Sequence, residues 1–235
     1  FVNLYGAENI AACFVEPIAG STGCLVPPRG YLKRLREICD QHGILLVFDE
    51  VITGFGRTGE AFAAQSFGVT PDLMTMAKAL TNAAQPMGAV AISERIHDTI
   101  FAAAPDDAIE FFHGYTYSGH PAACAAGLAT LDIYRSEGLF ERGRALSPYF
   151  LDAIFSLRDV PVIADIRGYG MLAAIELHSN GVAGRRGHKF QKDLFDRGLN
   201  LKTTGDAAII APPLIAEKAH VDSIVGILRT TLAGA

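Results

Sequence analysis

Two side chains stand where an open parallel sheet places its chemistry. Asp49 follows the apolar run Ile44-Leu-Leu-Val-Phe48, and Lys78 lies just past the run at 73–76. Ligands of such sheets sit beyond the carboxyl ends of the strands. Lys78 has apolar neighbours on both sides in Met74-Thr-Met-Ala-Lys-Ala-Leu80. Partial desolvation is therefore expected, and it favours the neutral amine that Schiff-base chemistry needs. Lys33, Lys189, Lys192 and Lys218 fall on polar helix faces and read as surface groups. Asp49 and Val51 are two apart, so in extended chain they share a face. An acid and an apolar side chain so placed suit a Schiff-base-forming ring cofactor. The acid keeps the ring nitrogen protonated, and the apolar side chain packs on the ring. Taken alone, Asp49 and Glu50 could do no more than cap the following turn, which acids at strand ends do more often.

Gly54-Phe-Gly56-Arg-Thr-Gly59 fits the G-x-G-x-x-G dinucleotide pattern. That motif needs the strand to run straight into the first glycine, and here Asp49-Glu50 puts two negative charges where phosphates would sit. The helix start after Gly59 is weak, and no acid follows at about 20 residues, as the pattern requires. The dinucleotide reading is rejected. The stretch His113-Gly-Tyr-Thr-Tyr-Ser-Gly-His-Pro121 brings hydroxyls and backbone amides to a helix start, which suits a phosphate group. By spacing alone an ordinary turn, capped by Ser118 or His120, is the better reading. The four cysteines lie far apart without C-x-x-C pairs, so free thiols in a reducing cytoplasm are expected, and no metal site.

These residues need elements to carry them. Strands are predicted over 10–15, 44–48, 73–76 and 88–92, with a helix over 31–41 that Gly43 ends. Helices follow over 121–134 and 139–157. After about residue 137 the texture changes to short strands (162–166, 171–177, 199–202, 207–211) interleaved with helices over 189–197 and 217–232. The pattern predicts an α/β fold with a largely parallel sheet over 1–136 and a small α+β domain over 137–235. Half of the residues are hydrophobic, 19% are charged and the formal net charge is −5. That profile belongs to a folded chain and gives no footprint for nucleic acid. No apolar run approaches the roughly 20 residues of a membrane span. The first residues, Phe1-Val-Asn-Leu4, read like the middle of a protein.

Glu16-Pro-Ile-Ala-Gly20, Pro27-Pro-Arg-Gly-Tyr-Leu32, Asp49-Glu-Val-Ile-Thr-Gly-Phe-Gly-Arg-Thr-Gly59, Pro71-Asp-Leu73, Ala77-Lys-Ala-Leu80 and the 113–121 stretch occur in that order. Together they resemble the class III aminotransferases, fold type I pyridoxal-phosphate enzymes, and look closest to the omega-amino-acid (β-alanine):pyruvate branch. The resemblance covers essentially the whole chain. It implies that Lys78 forms the Schiff base, Asp49 pairs with the pyridinium nitrogen and Val51 packs on the ring. Thr116, with Tyr115 beside it, would bind the phosphate of the partner subunit's cofactor, which implies an obligate homodimer. The implied activity is ping-pong transfer of an amino group from an omega-amino acid or primary amine to pyruvate or a similar keto acid.

Two positions bear on the substrate implied. Ser21 stands where the ornithine and 4-aminobutyrate branches have a glutamate, which argues against a glutamate/2-oxoglutarate enzyme of their kind. Lys202 replaces the arginine that the pyruvate-dependent branch sets against the acceptor carboxylate; it keeps the charge and loses the bidentate fork. A surface lysine on the small domain is an equal alternative. Family members are nearly twice this length, so the sheet is expected to show open edges and apolar faces, and the isolated polypeptide to fold poorly and be inactive. A non-catalytic assembly module, and an aminomutase or racemase on the same scaffold, are the rival functions.

Overall fold

The computed structural model describes residues 1–234. After a short helix α1 (Val2–Tyr5), four strands form the first sheet: β1 (Ala12–Val15), β2 (Leu45–Asp49), β3 (Leu73–Met76) and β4 (Ala89–Ile92), in that spatial order. The first three run parallel and β4 returns antiparallel to β3. Parallel neighbours need long crossovers. Helix α2 (Tyr31–His42) makes the first, and a run of turns with the short helix α3 (Ala63–Phe67) makes the second. Helices α4 (Glu94–Ala102), α5 (Pro121–Ser136) and α6 (Leu139–Phe155) lead to a second sheet. It contains β5 (Ile163–Tyr169), β6 (Leu172–Leu177), β7 (Lys202–Thr204) and β8 (Ala207–Ile210), in the order β5-β6-β8-β7 and antiparallel throughout. Helix α7 (Arg185–Phe195) precedes β7, and α8 (Lys218–Leu232) follows β8.

Helix α2 forms where the apolar spacing asked for it. Leu32 and Cys39 are buried, and Leu35 joins them against Leu46 and Phe48 of β2. The helix closes on Gly43 at φ 65°, with the Ile44 N–H reaching back to the Cys39 carbonyl at 2.9 Å. Glycine adopts that left-handed backbone without a steric penalty. The largest core cluster lies in the second half of the chain, where Phe150 and Ile154 of α6, Ala173 and Ile175 of β6, and Leu228 of α8 are buried together. It also takes in Phe55, Leu80 and Tyr134, so the core is continuous across the two sheets. Apolar side chains are exposed at both edges of the first sheet: Phe14 of β1 is 72% exposed, and Val90 and Ile92 of β4 are exposed at the opposite edge, while Val47 between them is buried.

Several boundaries differ from those expected. The strand predicted over 199–202 begins only at Lys202, because it is an edge strand read from the polar Lys202-Thr-Thr204 and not from the apolar residues before it. Helix α7 starts four residues before the predicted 189. Helices α3 and α4 are absent from the sequence reading; α3 is five residues long, and α4 buries none of its residues although Ile96 and Ile100 stand at helical spacing on it. No helix among the described residues is long and apolar enough to cross a membrane.

Asp72 ties three elements together just before β3. Its carboxylate accepts from the Leu46 N–H at 2.8 Å, Arg36 of α2 at 2.7 Å and Arg95 of α4 at 2.9 Å. Burial alone would push this acid up. The Leu46 amide and the two guanidiniums overcome that and hold it below the usual aspartate range. A depressed value means that the folded state favours the ionised form, so this stability is present above the unfolded value of about 3.9 and is lost as pH falls through the folded one. Asp72→Asn should therefore destabilise the chain by about 1–3 kcal/mol near neutral pH. The difference should shrink as pH falls below about 3.9 and vanish once the folded carboxyl is protonated as well. Urea unfolding of both proteins across pH checks this; a constant difference would show that the charge is not the cause.

Candidate functional site

The carboxyl ends of β2 and β3 meet at a cavity of about 740 Å³. Asp49 is the last residue of β2 and pairs in register with Thr75 of β3, three residues before Lys78. The cavity wall includes Val51 and Ile52 from the turn after β2, and Lys78, Ala79, Asn82 and Ala83 from the turn after β3. Gly20 and Ser21 line it from the loop after β1, and Lys202, Ile209 and Leu214 from the second half of the chain. The structure thus brings Lys78, Val51 and Lys202 to one cavity, with Asp49 at the strand end beside it. Arg57, Lys78 and Lys202 are the charged residues of this lining, and no acid is among them.

Asp49 and Val51 do not share a face of extended chain, contrary to the expectation from their spacing. The strand ends at Asp49, and its Oδ1 accepts the Val51 N–H at 3.0 Å, which turns the backbone. Val51 reaches the cavity because of that turn. No other protein donor reaches the Asp49 carboxylate among the described residues. Glu50 does the capping. Fully buried, it accepts from Thr53 Oγ1 at 2.6 Å and from the Ala63 and Ala64 amides at 2.9 and 2.8 Å, at the start of α3. Burial pushes this carboxyl up, with the Asp49 charge adding to it, while the three donors pull it back. These amides are the ones a dinucleotide phosphate would have needed, so an acid occupies that place.

Lys78 departs from expectation in a second way: its side chain is exposed, not desolvated. The cavity is open on that side. The Lys78 backbone is left-handed at φ 47°, and Asn82 and Ala83 follow at 49° and 60°. Such backbone costs of order 1–3 kcal/mol for each non-glycine residue and clusters at functional sites. Tyr115 and Thr116 do not approach Lys78. Both are exposed and line a separate cavity of about 590 Å³ with Met87, Gly88 and His120. His120 is the N-cap of α5 and makes no side-chain cap bond; Pro121 supplies the start.

Arg57 and Tyr134 escaped sequence reading. Arg57 projects from the glycine-rich turn and donates through Nη1 to the carbonyls of Met171 and Pro212, at 2.8 and 2.6 Å. The Met171 N–H returns to the Arg57 carbonyl at 2.9 Å, and the approach is so close that a Cβ on Gly170 would lie 2.5 Å from that oxygen. Burial lowers this guanidinium from its usual value. The loop carrying Ser21 is held likewise, by Thr204 Oγ1 on the Ser21 carbonyl at 2.7 Å and Arg167 Nε on the Gly23 carbonyl at 3.0 Å. All of these partners lie more than 100 residues away, so no local pattern could announce them.

The family model for class-III aminotransferases matches residues 2–232. An omega-aminotransferase of Caulobacter vibrioides is 56% identical over 98% of this chain and 53% of its own length. An omega-amino acid–pyruvate aminotransferase of Pseudomonas putida is 48% identical over 95% of this chain and 50% of its own. Among solved structures, a transaminase with L-alanine superposes at a TM-score of 0.95 with 33% identity, covering 99% of this chain and 56% of its own. An amine transaminase from an uncultivated Pseudomonas species, in its PLP-bound form, superposes at 0.92 with 35% identity over 99% of this chain and 54% of its own. The chain thus spans about half the length of the curated relatives it matches.

The Glu50 contacts generate a direct test. In Glu50→Gln one carboxylate oxygen becomes an NH₂ facing an N–H or O–H donor, so at least one buried donor loses its partner. The expected loss is about 1–3 kcal/mol of stability. It is measured by urea unfolding; an unchanged midpoint would remove Glu50 as the anchor of the turn.

Proposed function

The chain belongs to the class-III aminotransferases, a family of pyridoxal-phosphate enzymes, and from that premise we propose that its protein moves an amino group from an omega-amino acid or primary amine to pyruvate or a similar keto acid, in ping-pong order. One observation carries the reading: a lysine on left-handed backbone in the wall of a cavity with Val51, while an acid ends the neighbouring strand. The residues fit the cofactor chemically. They supply an amine for its carbonyl carbon, a carboxylate with one oxygen held by its own turn, and an apolar wall for a ring. A cavity of about 740 Å³ falls within the size range of small-molecule sites.

When bound, pyridoxal phosphate supplies the electron sink that stabilises charge developing at the amine-bearing carbon. Lys78 Nζ would hold the cofactor covalently, and when free would be the base that takes the proton from the amine-bearing carbon and returns it. Asp49 would keep the ring nitrogen protonated, and Val51 would supply an apolar contact for the ring. Lys202 contacts the carboxylate of the keto acid, a role supported by a lining with three cations and no acid. Thr116, with Tyr115 beside it, holds the phosphate of the cofactor in a second copy of the chain. Their separation from Lys78 within one chain supports that assignment and a homodimer.

The exposure of Lys78 favours a second reading, in which these residues hold the cofactor only when further polypeptide covers the cavity. One spectrum separates the readings. With added pyridoxal phosphate, a visible band and a borohydride-fixed adduct on Lys78, both lost in Lys78→Ala, support binding by this chain. A band that appears only in a full-length protein joining these residues to the other half of a relative supports the second reading. No band in either form overturns the aminotransferase assignment. In active protein, Lys202→Ala should raise the KM for pyruvate about tenfold, as for one hydrogen bond to a charged group, with little change in kcat. An unchanged KM returns Lys202 to the surface.

A further inference from the structure

We infer that Tyr134 is the positioning residue for Lys78: its hydroxyl pins the turn after β3 and so sets where the lysine amine enters the cavity. The inference rests on the proposed role of Lys78. Tyr134 lies near the end of α5, is 6% exposed, and donates its hydroxyl to the Ala79 carbonyl at 2.7 Å. A second contact joins the hydroxyl to Asn82 Oδ1 at 3.2 Å. Both acceptors belong to the segment in which Lys78, Asn82 and Ala83 hold left-handed backbone. Within the segment the Thr81 and Ala83 amides share the Lys78 carbonyl at 3.3 Å each, with shorter bonds from the Leu80 N–H to the Ala77 carbonyl at 3.0 Å and from Thr81 Oγ1 to the Gln85 carbonyl at 2.6 Å. Among the described residues, the bond from Tyr134 is the hydrogen bond that holds Ala79, the residue after the lysine, from a different element.

The phenol is well placed to hold still. Its ring stacks on Phe55 at 6.1 Å and meets Phe140 at 5.1 Å. Phe55 also lines the cavity, so the ring that carries the hydroxyl is braced by the cavity wall itself. Burial pushes the phenol above its usual value, against the smaller opposing effects of Asn82 and the Arg57 charge, so the hydroxyl keeps its proton and remains a donor. A strained turn persists only while its surroundings hold it, so it relaxes at Ala79 if that anchor is removed.

The test compares the native chain with Tyr134→Phe, which deletes only the hydroxyl, and Phe140→Leu, which removes ring packing and leaves the hydroxyl. Backbone amide exchange of a peptide spanning 78–85, without cofactor, reads the turn. Tyr134→Phe should speed exchange at Thr81 and Ala83 about fivefold, the effect of one ordinary hydrogen bond. Phe140→Leu should lower the unfolding midpoint while leaving those amides near their native rates. Borohydride trapping with pyridoxal phosphate then reads the lysine, and the rate of labelling at Lys78 should fall several-fold in Tyr134→Phe alone. Equal exchange in the native chain and Tyr134→Phe overturns the inference, as does equal acceleration in both variants. Faster exchange with labelling of Lys78 unchanged overturns it too. If no protein is labelled yet only Tyr134→Phe exchanges faster, the hold on the turn stands, and what fails is cofactor binding by this chain alone.

Discussion

Glu50 has no contact with solvent, and a buried carboxylate is tolerated only when its oxygens are paired. Thr53 and the first amides of α3 supply the pairs, so the end of β2, the turn after it and the next helix are bound to a single group. That constraint fixes the turn that follows Asp49 and carries Val51 and Ile52. It also fixes the glycine-rich turn from which Arg57 reaches the second half of the chain. The site therefore depends on a side chain that takes no part in its chemistry.

The same turn joins the two sheets. Arg57 offers a charged donor to two carbonyls, a contact stronger than a neutral hydrogen bond but without an acid to neutralise it. The desolvation of that cation is offset by the mutual fit at Gly170 and by the shared core around Phe55 and Tyr134. On the opposite wall, Thr204 and Arg167 hold the loop carrying Ser21. Lys202 sits two residues from Thr204, so its place in the cavity follows from the docking of an edge strand. The second sheet thereby contributes a cation, and not only bulk, to the cavity.

How much of this was legible in the sequence varied with the range of the forces. The parallel strands were readable because continuous apolar runs bounded by polar residues leave few alternatives, as at Leu45–Asp49. The positions of Asp49 at the end of β2 and Lys78 past the end of β3 were readable because the apolar runs before them mark the strands. Val51 was chosen for a reason that the structure replaces, since a two-residue spacing in extended chain became a turn closed by Asp49 itself. The strand at Lys202 was misplaced because an edge strand need not be apolar, and α4 was overlooked although Ile96 and Ile100 stand at helical spacing on it. The grip of Arg57 on Met171 spans 114 residues, and periodicity carries no information about such pairs.

The backbone at Lys78 shows why those distant contacts matter. A glycine would relieve a φ of 47° at once, yet only a side chain with an amine can do the chemistry proposed here. A lysine can remain there only if the surroundings supply more free energy than the strain costs. The supports are on the page: the Tyr134 hydroxyl on the next carbonyl, and Thr81 Oγ1 on the Gln85 carbonyl at 2.6 Å. Leu80 and Thr81 are buried, which anchors the far side of the turn. An exposed amine on an over-determined backbone is a rigid arm over an open cavity. Binding then costs little backbone ordering, because the fold has already fixed the arm's root.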